Sequence, residues 1–272
     1  MQTYNYFLDY YDKIVRSNNN QVEDEVEFLI EDCIKQYKPE TKTILETACG
    51  TWVVAKELIK AWYKVTGLDI SESMLEKAKE NLENSIIIPP SRTSSTPFEK
   101  GRNKIELVLA DMTDFDLGHT FDAVLCNYNS ICHLLKWEQW QSFFDMVNKH
   151  LEKDWLFVFD INTVFEFENI TRDFAQFYTF WEDTVCLEMF KKEGIYEWLV
   201  KIFKKCPHPS SKGEETSYYE LIQEVVRENS FPINKIKKEL IDKWFKILEM
   251  IDYHYGEVTA ESERVYFICK KK

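Results

Sequence analysis

Residues 43–52 read Thr-Ile-Leu-Glu-Thr-Ala-Cys-Gly-Thr-Trp, and this stretch decides the fold. Its apolar start predicts a short buried strand, and Gly50 predicts a turn from that strand into a helix. Apolar residues at helical spacing continue through 53–60. A second apolar run, 64–70, carries the acidic residue Asp69 at its last position but one. This succession predicts two parallel strands joined by a crossover helix.

The same alternation of apolar strands and amphipathic helices continues to about residue 162. Further helices are predicted at 24–37, 71–82 and 137–151, and further strands at 105–110, 121–126 and 156–160. The polar segment 85–104 is expected to be a loop. Strands separated by helices favour an α/β fold with a doubly wound, mostly parallel sheet covered on both faces.

The pattern changes after residue 162. Three longer strands are predicted at 185–190, 195–203 and 218–226, followed by a helix at 235–245 and a closing hairpin of 247–253 and 264–269. A polar loop, 207–216, separates the second and third of the longer strands. We therefore predict one α/β domain, formed by residues 1–162 and 233–272, and a small inserted antiparallel β subdomain, 163–232, that covers a substrate pocket.

Candidate binding residues lie at the ends of the first two strands. A side chain at Gly50 would obstruct a ligand that approaches the turn and the helix N-terminus. Glu46 can accept hydrogen bonds from an ammonium group, and Asp69 can accept both hydroxyl groups of a ribose. A dehydrogenase would use Asp69 in the same way, but Ala48, Gly50 and Val53 do not form its GxGxxG pattern. The dehydrogenase interpretation is therefore disfavoured.

Four segments resemble the motifs of the class I, Rossmann-like S-adenosylmethionine-dependent methyltransferases. Residues 46–51 (ETACGT) look like the E/DxxCGTG motif, and 65–75 (VTGLDISESML) are similar to VxGxDxSxxML. Residues 110–112 (ADM) resemble the third motif, and 121–124 (FDAV) the FDxV strand. The resemblance spans about residues 40–162 and implies a Rossmann-like fold.

The resemblance also implies S-adenosyl-L-methionine as the cofactor. It places Glu46 and Gly50 at the methionine part, Asp69 at the ribose, and Asp111 with Met112 at the adenine. An N-terminal Tyr-Asp-Lys segment is found in similar proteins and adds Tyr11. The expected cofactor-binding residues are Glu46, Ala48, Gly50, Asp69, Ile70, Met74, Asp111, Met112, Asn127 and Tyr11.

The expected activity is methyl transfer to a small-molecule acceptor. His133 and Tyr128, which follow the fourth strand, are the candidates for catalysis. Histidine can exchange a proton near pH 7, but a histidine in a loop or at a helix end is the more frequent case. Amine, hydroxyl, carboxylate and thiol acceptors all remain open, as does the oligomeric state.

Charge and composition narrow the class of partner. A net charge of −13 disfavours nucleic acid, which needs a basic face. No apolar run approaches the ~20 residues of a membrane span, and residues 1–6 lack the features of a signal peptide. The seven cysteines are scattered without metal-ligand spacing, which favours free thiols, no metal and a cytoplasmic location.

Tryptophan occupies several positions that favour glycine. Trp52 ends the cofactor turn, while Trp62, Trp155 and Trp244 follow helices at the position where a left-handed residue is usual. The chain has eight tryptophans and only seven glycines. One hypothesis is that glycine codons are recorded here as tryptophan. The rival is genuine substitution, in which Trp52 would compete with the methionine group and leave a catalytically impaired, methyltransferase-like binding protein.

Overall fold

The computed structural model describes residues 6–15, 21–83, 106–170, 175–206, 218–254 and 256–272. The predicted loops at 85–104 and 207–216 lie outside these ranges.

The helices and strands alternate as the hydrophobic pattern predicts, with small shifts at their ends. The helices are α1 (Leu8–Val15), α2 (Gln21–Phe28), α3 (Val53–Lys60), α4 (Glu72–Glu83), α5 (Trp137–His150), α6 (Val164–Ile170) and α7 (Ile233–Asp242). The strands are β1 (Thr43–Thr47), β2 (Lys64–Asp69), β3 (Glu106–Leu109), β4 (Phe121–Cys126), β5 (Leu151–Asn162), β6 (Ala175–Phe180), β7 (Asp183–Lys192), β8 (Ile195–Cys206), β9 (Tyr218–Glu228), β10 (Phe245–Asp252) and β11 (Arg264–Lys271).

Seven strands form the main sheet, in the order β10-β11-β5-β4-β1-β2-β3. The strand β1 pairs in parallel with both β2 and β4, with Glu46 opposite Gly67 and Leu125. The strand β11 is antiparallel to both of its neighbours, β5 and β10. The predicted Rossmann-like sheet with an antiparallel terminal hairpin is therefore confirmed. The carboxyl ends of β1, β2 and β4 lie side by side at one edge, which is where ligands bind in such sheets.

A second, antiparallel sheet has the order β6-β7-β8-β9. Its three long strands are confirmed, but the edge strand β6 and the helix α6 were missed. The segment that forms β6 reads Ala-Gln-Phe-Tyr-Thr-Phe, which does not alternate strictly between apolar and polar residues, so the sequence gives a weak strand signal. The division of the chain into a main domain and a subdomain at 163–232 stays a prediction.

Two predicted helices differ in their bounds, and the structure shows the physical reason for the second of them. The predicted helix at 24–37 begins at Gln21 and changes after Phe28 into a π-helical stretch, Leu29–Lys35. The helix predicted at 235–245 ends at Asp242, because Trp244 is left-handed (φ 67°) and Phe245 begins β10.

The left-handed backbone predicted after three helices is confirmed at two of them. Trp62 has φ 75° and Trp244 has φ 67°. The prediction for Trp155 is wrong, since Asp154 before it takes the left-handed conformation (φ 67°). The structure adds one tryptophan that the sequence did not single out, Trp181, with φ 58° in the turn between β6 and β7.

The core is rich in aromatic side chains, several of which pack together on one face of β5. Phe159 stacks on Phe157 and on Phe267 of β11, with ring centroids 4.7 and 4.8 Å apart. All seven cysteines are free thiols, and six of them are buried. No helix in the described ranges is long and apolar enough to cross a bilayer.

Candidate active site

The turn after β1 is unusually tight because three of its five residues are left-handed. Ala48, Gly50 and Trp52 have φ values of 52°, 52° and 74°. The turn is held to the next strand by Cys49, whose N–H donates to the Leu68 carbonyl oxygen at 3.0 Å. The chain thereby presents the backbone at Gly50 to the cleft above the sheet, as the sequence predicts for this glycine.

Asp69 lies at the end of β2 and joins the turn to the next helix. Its Oδ2 accepts the Gly50 N–H at 2.8 Å and its Oδ1 accepts the Ser71 N–H at 2.8 Å. Burial raises the pKa of this carboxyl group, while these two backbone donors lower it. Each carboxylate oxygen keeps a second lone pair, so Asp69 can still accept a ligand hydroxyl group.

Glu46 is a buried carboxyl group at the end of β1. Burial, reinforced by the nearby charge of Asp69, raises its pKa to about 8. Its Oε2 has no hydrogen-bond partner among the described residues, and the same holds for both amide atoms of Asn127 and the hydroxyl group of Tyr128. Buried polar atoms normally have partners, so this group points to a ligand or water that supplies them.

Two adjoining cavities open at this edge of the sheet. The smaller, about 40 Å³, lies next to Glu46, Asn127 and Tyr128. The larger, about 350 Å³, extends from Asp69 and Asp111 to Arg227 on β9. All ten predicted cofactor residues and both catalytic candidates line one cavity or the other: Tyr11, Ala48 and Gly50 line both, Glu46, Asn127 and Tyr128 the smaller, and Asp69, Ile70, Met74, Asp111, Met112 and His133 the larger.

The structure also shows cavity residues that the sequence did not single out. Ser130 lines both cavities, and Gln139 of α5 and Arg227 of β9 line the larger one. They come from separate elements and share no motif, so no sequence signal could have grouped them. Within the described ranges, no group of three or more histidine, cysteine, aspartate or glutamate side chains is placed to hold a metal ion.

The helix α1 carries Tyr11 to the cavities and is fixed to both sheets. Asp12 accepts hydrogen bonds from Thr51 Oγ1 at 2.5 Å and from Asn81 Nδ2 at 3.2 Å, which ties α1 to the cofactor turn and to α4. On the opposite side the Tyr10 hydroxyl group donates to Asp183 of β7 at 2.8 Å. The helix therefore spans the cleft between the two sheets.

Comparison with known proteins identifies the kind of domain that contains this cleft. The methyltransferase-domain family model matches residues 44–154. A putative methyltransferase of Geobacillus sp. strain WCH70 is 27% identical over 278 residues, which cover 99% of this chain and 100% of the relative. Residues 44–154 therefore form a methyltransferase domain, and the whole chain has the fold of an S-adenosylmethionine-dependent methyltransferase. Its cofactor is S-adenosyl-L-methionine.

Two further proteins resemble this chain, one in its fold and one over part of its sequence. The crystal structure of an S-adenosylmethionine-dependent methyltransferase from Clostridium acetobutylicum ATCC 824 shares its fold, with a TM-score of 0.76 and 22% identity over 98% of both chains. The dTDP-3-amino-3,4,6-trideoxy-alpha-D-glucopyranose N,N-dimethyltransferase of Streptomyces venezuelae is 29% identical over 123 residues, 45% of this chain and 44% of the relative.

The polar atoms of the methyltransferase fit its cofactor. The methionine part of S-adenosylmethionine carries an ammonium and a carboxylate group, so it offers both donors and acceptors. Glu46 Oε2 can accept from the ammonium group, and the Asn127 amide can donate and accept. These are buried atoms that lack partners among the described residues.

Trp52 does not occupy the cofactor cleft, which corrects the expectation that it competes with the methionine group. Its side chain is 1% exposed and lies in the core, and it lines neither cavity. An added Cβ at Gly67 would lie only 2.0 Å from Trp52 Cζ3. The left-handed φ turns the indole away from the cleft and onto Gly67 of β2. The alternative of an impaired binding protein, which rested on this tryptophan, is not supported.

Proposed function

We propose that the methyltransferase transfers a methyl group to the nitrogen of a small-molecule amine held in the larger cavity. The observation that carries this proposal is the shape of the cleft. The larger cavity shares Tyr11, Ala48 and Gly50 with the smaller one and ends under the edge strand β9. Its volume of about 350 Å³ is that of a small-molecule site. Asp69 and Asp111 line one end of this cavity and are assigned to the cofactor, so the acceptor binds at the other end, beside His133 and Arg227.

The relatives favour an amine over the other acceptors. The Streptomyces venezuelae relative is named as an N,N-dimethyltransferase of a nucleotide-linked amino sugar. In this chain Glu228 is a carboxyl group that is only 5% exposed and lies 3.9 Å from the imidazole of His133, which lines the larger cavity. A buried carboxylate beside an imidazole suits a substrate that enters with a positive charge and must lose a proton.

The hydrogen bonds of His133 make it suitable as the proton acceptor. Its Nδ1 lies 3.3 Å from the Arg227 carbonyl oxygen. A carbonyl oxygen can only accept, so Nδ1 carries the hydrogen and Nε2 carries the lone pair. Bound S-adenosylmethionine supplies a methyl group activated by its sulfonium sulfur. His133 Nε2 would take a proton from the charged nitrogen, which frees the lone pair that accepts this methyl group as S-adenosylhomocysteine leaves.

We assign the cofactor residues in the same way. Glu46 and Asn127 bind the methionine ammonium, Asp69 binds the ribose hydroxyl groups, and Asp111 and Met112 border the adenine. The Asp111 carboxylate is held in place by the Thr113 N–H and hydroxyl group, at 2.8 and 2.7 Å. Most of the rate comes from positioning, since the methyl group is already activated.

The acceptor class is tested by a coupled assay for S-adenosylhomocysteine with paired substrates. Each pair holds an amino sugar nucleotide or simple amine and its hydroxyl analogue. We expect turnover of an amine with a product heavier by one or two methyl groups, and none of its hydroxyl partner. Turnover confined to hydroxyl, carboxyl or thiol compounds would refute the amine proposal.

The residue roles are tested separately by calorimetry and kinetics. His133→Gln should lower kcat by about 10²–10⁴-fold while leaving the Kd for S-adenosylmethionine unchanged. Asp69→Asn should weaken cofactor binding by at least about tenfold, because the two ribose hydroxyl groups would then donate to a neutral amide instead of a charged carboxylate. Asp116→Asn, at an exposed carboxylate outside the cavities, is the matched control. Equal effects of the Asp69 and Asp116 changes would contradict the ribose role.

A further inference from the structure

Behind the smaller cavity, three charged side chains form a buried cluster. Arg264 of β11 donates from Nε to Asp160 Oδ2 at 2.6 Å, and from both terminal nitrogens to Glu25 at 2.7 and 3.2 Å. Asp160 is 0% exposed and Glu25 is 3% exposed. The guanidinium group also lies 5.0 Å from the ring centroids of Tyr253 and Tyr266. None of the three charged residues lines either cavity.

One bond of this cluster reaches the loop that faces the cofactor. Asp160 Oδ2 also accepts the Asn129 N–H at 2.7 Å. Asn129 and Tyr128 are consecutive left-handed residues, with φ values of 47° and 56°. Two such non-glycine residues in succession are strained and persist only where their surroundings fix them. The Tyr128 ring lies 5.5 Å from the Arg264 guanidinium carbon, which fixes the loop at a second point.

We propose that Asp160, held by Arg264, is a positioning residue for cofactor binding. It fixes the strained pair Tyr128–Asn129 and thereby aims the Asn127 amide and the Tyr128 hydroxyl group into the smaller cavity. These are the atoms that lack partners among the described residues. Asp160 acts on the methionine end of the cofactor and has no contact with the larger cavity, where Asp69 and Asp111 lie.

The test compares two ligands that differ only at the methionine end. S-adenosylhomocysteine contains the amino acid group, and 5′-methylthioadenosine lacks it. We expect Asp160→Asn to weaken S-adenosylhomocysteine by about tenfold or more, the scale of one hydrogen bond to a charged group. Binding of 5′-methylthioadenosine should change by less than about twofold. A general loosening of the fold would weaken both ligands together, and that outcome, or no change for either, would overturn the proposal.

Glu25→Gln provides a control for stability. Glu25 binds the same Arg264 but makes no hydrogen bond to the loop at 127–129 within the described part of the chain. This variant should lower the midpoint of thermal unfolding and leave the ratio of the two affinities at its wild-type value. If Glu25→Gln changes the ratio as much as Asp160→Asn does, the effect does not pass through the Asp160–Asn129 bond.

A second inference rests on a different observation, the backbone of the tryptophans. Four of the eight have left-handed φ values: Trp52, Trp62, Trp181 and Trp244. Bulky side chains are rare in this region because Cβ collides with the backbone, and glycine is the residue that adopts it freely. Three of the four side chains are largely exposed and one is buried, so packing offers no common explanation.

The local structures at these tryptophans are ones that glycine normally completes. After α3, the Tyr63 N–H donates to the Leu58 carbonyl oxygen and the Trp62 N–H to that of Ile59, which is the bond pattern of a Schellman motif. Between β6 and β7, only the first of the two turn residues, Trp181, has a positive φ. That is the glycine position of a type II′ hairpin turn.

Trp52 shows the same mismatch inside the core. Its indole ring lies against Gly67, and its Nε1–H is buried without a partner among the described residues. By contrast, Trp140 donates from Nε1 to the Leu134 carbonyl oxygen at 2.8 Å, and Trp198 donates to Glu228 at 2.7 Å. Those two indoles have the partners expected of buried tryptophan.

We infer that the protein made in its own organism carries glycine at positions 52, 62, 181 and 244. One cause accounts for all four: a codon that this organism reads as glycine corresponds to tryptophan in another genetic code. Position 155 has no left-handed residue and gives no such indication.

Peptide mass spectrometry of the protein purified from its own organism tests this inference. We expect glycine masses at the four positions and tryptophan masses at 140 and 198, which serve as controls in the same digest. A tryptophan mass at any of the four positions would overturn the inference. The outcome is independent of cofactor binding and of the proposed acceptor.

Discussion

The strain at Trp62 can be measured in the chain as it stands. Trp62 is left-handed (φ 75°) and 63% exposed, so its side chain contributes little burial. A residue with Cβ costs about 1–2 kcal/mol in this conformation, which glycine avoids. The greater freedom of glycine in the unfolded chain offsets about 0.5–1 kcal/mol of that gain. Trp62→Gly should therefore raise the free energy of unfolding by about 0.5–1 kcal/mol, or about 1–3 °C in Tm.

The matched variant Trp62→Ala removes the same side chain but keeps Cβ. Urea unfolding of both variants, analysed at equal m-values, gives the difference between their free energies of unfolding. We expect the glycine variant to be more stable than the alanine variant by about 1 kcal/mol. Trp155→Gly is the second control, because Trp155 is not left-handed and its ring lies 4.9 Å from Lys38 Nζ. That change should destabilise the chain. The reasoning would be refuted if Trp62→Gly were no more stable than Trp62→Ala.

Three further predictions concern the cofactor turn and its surroundings. Gly67→Ala should lower the free energy of unfolding by about 1–3 kcal/mol, since the added Cβ would lie 2.0 Å from Trp52 Cζ3. In a double-mutant cycle, the same change should lower it by less when Trp52→Gly is also present. Burial raises the pKa of Glu46 from the ordinary 4.5 to about 8 in the folded chain. The folded chain therefore holds a proton that the unfolded chain loses above pH 4.5, and the free energy of unfolding falls as the pH rises from 4.5 towards 8. Urea unfolding without cofactor should show a decline of at most about 1.4 kcal/mol per pH unit over this window, which Glu46→Gln removes; an unchanged slope would contradict the assignment. Asp12→Ala should speed hydrogen exchange in α1 but not in α5, because it frees α1 from Thr51 and Asn81.

Much of the site could be predicted because local pattern and the geometry of parallel strands determine it. Glu46, Gly50 and Asp69 fall at strand ends in sequence, and parallel pairing brings those ends together at one edge. The remaining cavity residues depend on tertiary packing. Arg227 belongs to an edge strand of the second sheet, and Asp160 meets Arg264 across 104 positions of sequence. No periodicity encodes such pairs.

The direction of the Trp52 side chain shows a different limit. The sequence shows that Trp52 occupies a position in the turn that favours glycine, and from this we expected the indole to face the cofactor. The left-handed φ of 74° points the side chain into the core instead. Side-chain direction at a single residue depends on backbone dihedral angles, which the hydrophobic pattern does not specify.

The buried contact between Glu25 and Arg264 joins positions 239 residues apart. Contacts of such long range form late, because a large loop must close before they contribute. The central strands β1, β2 and β4 can pair earlier, yet Asp160 gains Arg264 only when β11 has docked beside β5. The last strand of the sheet thus supports the loop at Tyr128 and Asn129 through Asp160, and a chain in which β11 has not docked lacks that support.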